Sequence, residues 1–157
     1  HAGPNGVGGE WGHNPLPWPT AEEVPGPPCY CGHRGCLETW ISGTGLMADY
    51  ERHTGKVLKG DEIVSASEAG DQEALQAVDR LENRIARGLA TVIEVLDPDA
   101  IVIGGGVSQI DRIYGSISRQ LPSYVFGRSC VTPVLKAVHG DSSGVRGAAW
   151  LWPPERA

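Results

Sequence analysis

Three thiols crowd one short loop, Cys29-Tyr30-Cys31-Gly32-His33-Arg34-Gly35-Cys36, with glycines where the chain must turn. Zinc takes thiolate sulfur and imidazole nitrogen in a tetrahedral shell, and structural sites close it with four protein ligands. The fourth ligand must come from outside the run. His13 is the best candidate, because Gly12 frees its backbone and a proline-rich excursion returns the chain to Cys29. His33 competes, but between Cys31 and Cys36 it is expected to point away from a metal that they share. The spacing suits a metal better than a disulfide framework, and the leftover Cys130 fits a reducing cytoplasm. The plain alternative is a reduced cysteine cluster without metal. With zinc, binding energy would order a loop that apolar burial cannot fold.

Two carboxylates flank this cluster. Glu10 lies three residues before His13 and Glu38 two after Cys36, so a metal would fix both segments that carry them. Carboxylates beside a rigid imidazole can grip neighbouring hydroxyls, although the same spacing also suits ordinary surface or capping glutamates. Gly104-Gly105-Gly106 is a weaker signal. It fits neither GxxxxGK[ST] nor GxGxxG, and a lone glycine turn is more often only a turn. Gly140-Asp141-Ser142-Ser143-Gly144 fits G-x-S-x-G, the nucleophile elbow of serine hydrolases. That order needs an acid and then a histidine downstream, and no histidine follows residue 139.

The elements that must hold these residues are unevenly marked. Gly3, Gly6, Gly8, Gly9 and Gly12 give the start of the chain no periodicity but suit sharp turns or close approach to a ligand. Pro15, Pro17, Pro19, Pro25, Pro27 and Pro28 remove amide donors, so residues 15–28 read as an extended loop whose ends the metal joins. Val78, Leu81, Ile85, Leu89, Val92 and Leu96 recur at helical intervals, which predicts a helix over 71–96 with one buried stripe. Asp71 and Glu73 suit its first turn, and Asp97-Pro98 stops it. A short buried strand is expected at 100–103, a helix at 111–121 and a strand at 131–138. A last helix is expected over Ala148 to Trp152, ended by Pro153-Pro154. Helix, strand, glycine turn and helix in succession argue α/β class.

Composition bounds the function. With 157 residues, 40% hydrophobic and 20% charged, the chain is sized for a single domain with its own core, the zinc-binding loop 13–36 lying within it. A net charge of -6 without clustered Lys and Arg argues against a nucleic-acid partner. No apolar run approaches the roughly 20 residues needed to cross a bilayer. The chain begins at His1 and its one methionine is Met47, so a preceding segment is expected.

Gly9-Glu10-Trp11-Gly12-His13-Asn14-Pro15-Leu16-Pro17-Trp18-Pro19 and Cys29 through Thr39 resemble the ROK family of sugar kinases and repressors. Ile103-Gly104-Gly105-Gly106-Val107-Ser108 and Gly140 through Trp150 resemble it too, so the likeness spans nearly the whole chain. Within the family the chain looks most like the bacterial fructokinase (mannofructokinase) branch. The resemblance implies an actin-like, ribonuclease H-like ATPase fold of two lobes that moves the ATP γ-phosphate to a hexose hydroxyl with Mg²⁺. It implies Glu10, His13 and Glu38 as sugar contacts, and His13, Cys29, Cys31 and Cys36 as zinc ligands. Gly104, Gly105 and Gly106 would be nucleotide-facing backbone, with a following helix N-terminus favouring phosphate. Dimerisation is common in the family.

The family's catalytic aspartate and first phosphate loop lie in its amino-terminal part, and no residue here matches either. The chain thus resembles a carboxy-terminal portion, about half of such a kinase. It is expected to bind zinc without phosphorylating sugar alone, and its partner would be the missing half. A ROK repressor shares the zinc and sugar motifs, so that reading stays open. A purely structural zinc module would use Trp11, Trp18, Trp40, Trp150 and Trp152 as docking area, although aromatics are more often core.

Overall fold

Helix α4 (Gln72–Leu96) packs against four of the other α-helices. Asp71 caps it, its carboxylate accepting from the Ala74 amide at 2.9 Å, and Asp97 ends it in the left-handed region with φ 43°. The computed structural model describes residues 3–151, and Trp152 with the expected Pro153-Pro154 stop lies outside them. Along α4 the buried stripe follows expectation through Val78, Leu81, Ile85 and Leu89 and then turns to Ile93. Leu96 is exposed and borders a cavity with Val92 and Val95.

Three helices before α4 carry no clear period in the sequence: α1 (Glu38–Ile41), α2 (Gly43–Thr54) and α3 (Gly60–Glu68). Ser42 starts α2 by accepting from the Gly45 amide at 3.0 Å, and Gly55 ends it at φ 71°, where a side chain would be strained. Leu46 and Tyr50 from α2 and Ile63 from α3 join the α4 stripe in one apolar core. A smaller cluster, Leu16, Leu37 and Trp40, sits under the cysteine loop.

Strand β1 (Ile101–Ile103) pairs in parallel with β2 (Val134–Lys136), Ile101 opposite Val134 and Ile103 opposite Lys136. Parallel pairing requires a crossover, and α5 (Arg112–Gln120) supplies it, burying Ile113 and Ile117 in the core. The expectation of a buried strand holds for one face only. Ile101 and Ile103 pack on the core while Val102 is 61% exposed, as the two-residue alternation of a strand requires. The last helix, α6 (Ser143–Ala149), starts earlier than its apolar run suggested, after a 3-10 turn at Gly140–Ser142. Among the described residues no helix is long and apolar enough to cross a membrane.

Candidate metal and sugar site

Backbone bonds, rather than helix or sheet, close the cysteine loop. Leu16 donates to the Gly35 carbonyl at 3.0 Å, Leu37 to Asn14 at 2.9 Å and Gly35 to Pro27 at 2.8 Å. These bonds clip both ends of the proline excursion together. Gly26 and Gly35 meet so closely that a Cβ on Gly26 would lie 2.5 Å from the Gly35 Cα, which only glycine at φ 79° allows.

The clip gathers four donors. Ligand atoms of His13, Cys29, Cys31 and Cys36 all lie within 4.8 Å of one another, and His33 is outside this group. Cys31 Sγ is 3.6 Å from Cys36 Sγ, and Cys29 Sγ is 3.6 Å from His13 Nδ1. A tetrahedral ion with bonds near 2.3 Å sets its sulfurs about 3.8 Å apart, so the donor set fits zinc. Without an ion the thiols interfere with one another. The Cys31 amide favours the Cys29 thiolate, but burial and the neighbouring Glu38, Cys31 and Cys36 win and push Cys29 up to about 12. The His33 amide draws Cys31 down from its ordinary value, while burial and then the Cys31 contact raise Cys36. A divalent cation would relieve this competition by favouring every thiolate at once.

The His13 ring divides its two nitrogens. Nδ1 faces the sulfurs, and Nε2 faces outward, 2.9 Å from the Tyr30 hydroxyl and 3.9 Å from Glu10 Oε2. On that outer side opens a cavity of about 690 Å³ lined by Gly9, Glu10, Trp11, His13, Asn14 and Thr91 among others. Glu38 sits on the metal side instead. Its Oε1 is 3.1 Å from Cys29 Sγ and 3.5 Å from His13 Nδ1, and it does not line the cavity.

Gly104 to Gly106 forms the turn after β1, with Gly105 at φ 72° and open space beside Gly105 and Gly106. The expected helix start does not follow. A four-residue 3-10 turn, Gly106–Gln109, comes next, and α5 begins only at Arg112, so no long helix dipole aims at this turn. Gly106 and Val107 instead border a separate cavity of about 390 Å³ with Gly43, Leu46, Gly60 and Val64. The G-x-S-x-G segment spans the 3-10 turn and the first residues of α6.

A family model described as the ROK family matches residues 1–155. The chain belongs to the ROK family. It is 38% identical over 149 residues to the N-acetyl-D-glucosamine kinase of Aliivibrio salmonicida, covering 92% of this chain and 49% of that protein. Among solved structures, the ROK family glucokinase from Streptomyces griseus in complex with glucose and AMPPNP superposes with a TM-score of 0.81 at 28% identity, covering 96% of this chain and 53% of that one. The ROK hexokinase from Thermus thermophilus gives 0.78 at 30%, covering 95% and 48%. This ROK chain therefore spans about half the length of the relatives it matches and shares the α/β, actin-like ATPase fold of its family. That relative, like the protein of Vibrio atlanticus at 37% identity, is an N-acetyl-D-glucosamine kinase where the resemblance implied a fructokinase.

Sequence reasoning did not single out Asn14 and Thr91, which line the cavity, or Tyr30, whose hydroxyl meets His13 Nε2. Tyr30 carried a usable signal, since it stands between Cys29 and Cys31 in the thiol run. Thr91 carried none, because its hydroxyl meets the Trp11 indole N–H at 3.4 Å across 80 residues of chain.

Proposed function

We propose that this chain is the zinc-bearing, sugar-binding half of an ATP-dependent hexose kinase. The observation that supports it is the divided imidazole of His13, one nitrogen among three thiols and the other beside Glu10 at a sugar-sized cavity. His13, Cys29, Cys31 and Cys36 would hold zinc, which supplies structural cross-linking, since four protein ligands leave no open position for water.

The chemistry of this half is binding and orientation. With Nδ1 committed to the metal side, His13 carries its proton on Nε2 and donates to a sugar oxygen there. Glu10 accepts from an adjacent hydroxyl, and Glu38 holds the inner side of the same clamp. A sugar in this cavity would replace the Tyr30 hydroxyl as the partner of Nε2. The turn at Gly104, Gly105 and Gly106 offers open backbone to the nucleotide, and the apolar cavity beside Gly106 suits its base. Phosphoryl transfer moves the γ-phosphoryl group from ATP to the sugar oxygen as the hydroxyl loses its proton, with Mg²⁺ neutralising the phosphates. No residue of this chain matches the family's proton-accepting aspartate, so that role falls to the other half of the kinase. The kinase reading is favoured over the repressor by the relatives, and over the hydrolase by family membership.

For the sugar, the curated relative favours N-acetyl-D-glucosamine, and the fructokinase-like run from Gly9 to Thr39 makes fructose the second reading. Trp11 lines the cavity, so its fluorescence reports occupancy. Titrating the zinc-loaded chain with each sugar should show saturable quenching or enhancement with N-acetyl-D-glucosamine at concentrations where fructose gives none. The reverse order transfers the assignment to fructose, and no response to any hexose contradicts the sugar site. The chain alone is expected to show no sugar-dependent ATP turnover.

A further inference from the structure

Between the zinc loop and α4 lies a buried ionic network. Glu23, in a single 3-10 turn of the proline excursion, is 8% exposed, and Arg84 and Arg87 of α4 are each 3% exposed. Glu23 Oε1 accepts from Arg84 Nε at 2.8 Å and Arg87 Nη2 at 2.7 Å, and Oε2 accepts from Arg87 Nη1 and the Thr20 amide at 2.9 Å each. Arg87 Nη1 also donates to the carbonyls of Trp18 at 2.7 Å and Pro17 at 3.2 Å. Prolines leave the excursion short of amide donors, and Arg87 supplies donors to two of its carbonyls.

The network also reaches the other arm of the site. Arg84 continues to Asp49 of α2 at 2.7 Å, and its guanidinium lies 4.4 Å from the ring centroid of Trp40. Trp40 is in α1, two residues after Glu38, and packs with Leu16 and Leu37 beneath the cysteine loop. Glu23 thus fixes the descending limb that delivers Cys29, while Arg84 braces the helix that carries Glu38. A buried ion pair contributes little net stability, because removing charges from water offsets their attraction. What so many forked contacts define well is geometry, since planar guanidinium and carboxylate groups fit in few orientations.

We infer that Glu23, gripped by Arg84 and Arg87, is the positioning residue of the metal loop: it fixes where Cys29 meets His13, Cys31 and Cys36, and so sets metal affinity. The inference rests on the proposed zinc site. Residues that orient metal ligands typically change affinity about 10–100-fold when altered.

The test uses zinc competition against a chromogenic chelator and the visible spectrum of the Co²⁺-loaded chain. The unaltered chain comes first: absence of zinc binding overturns the metal site itself. Given binding, Glu23→Gln should weaken zinc at least about tenfold and reduce the tetrahedral Co²⁺ bands. Arg87→Lys keeps the charge but loses the fork, and should fold while weakening zinc several-fold; it decides the matter if Glu23→Gln does not fold. A role confined to stability would lower the melting temperature and leave the Co²⁺ spectrum intact. Zinc affinity within twofold of the unaltered chain and an unchanged Co²⁺ spectrum in the folded variants would overturn the inference.

Discussion

Cys36 is the most deeply placed of the four metal donors, 1% exposed and flanked by the bridge that joins it to Pro15. Its sulfur lies 3.6 Å from Cys31 Sγ and 3.5 Å from the His13 carbonyl, inside the donor group. Cys36→Ser should therefore lower zinc affinity by more than the roughly 100-fold that a supporting residue costs, read by the same chelator competition. The grouping of His13, Cys29, Cys31 and Cys36 was legible because three of its members share one eight-residue run. Glu23 was not legible, since its partners lie 61 and 64 residues away in a helix read only for its apolar stripe. Glu23 also makes a pH signature. Burial opposes its charge, but hydrogen bonds from Arg87, Arg84 and the Thr20 amide prevail and hold it at about 2 against an ordinary 4.5. A depressed carboxylate stabilises the fold above its unfolded value, and that stability is lost as pH falls. The melting temperature should fall between pH 4.5 and 2, and this part of the slope should vanish in Glu23→Gln.

At the scale of elements, α4 was readable because Val78, Leu81, Ile85 and Leu89 kept a helical period and are buried along one face. Helices α1 to α3 were not, because Gly43 and Gly45 open α2 and α3 buries only Ile63 and Ser67, too few to set a period. Gly88 shows what the stripe could not say. A Cβ there would stand 2.8 Å from the Trp11 ring and 2.9 Å from Leu37 Cδ2, so α4 approaches the sugar loop through a glycine. Gly88→Ala gains helix propensity but overpacks this contact, and should destabilise by about 1–3 kcal/mol in urea unfolding. Because Trp11 precedes His13 by two residues, the same variant should weaken the sugar-dependent fluorescence change. Full stability with full sugar response would show that the contact relaxes freely.

For the whole molecule, the α/β succession from α4 to α5 was legible, while the thinness of the sheet was not. The two described strands leave Val102 61% and Leu135 47% exposed on the face away from the core. The chain spans about half of its relatives, and its proposed contribution is one clamp: metal, imidazole and two carboxylates acting together. Under that proposal the metal is the control point for sugar recognition. The direct measurement is calorimetric titration of N-acetyl-D-glucosamine, with fructose in parallel, into the zinc-loaded chain and into the same chain stripped by chelator. Binding by the loaded chain and its loss on stripping, restored by added Zn²⁺, is the predicted result. Equal sugar affinity with and without metal would contradict the clamp.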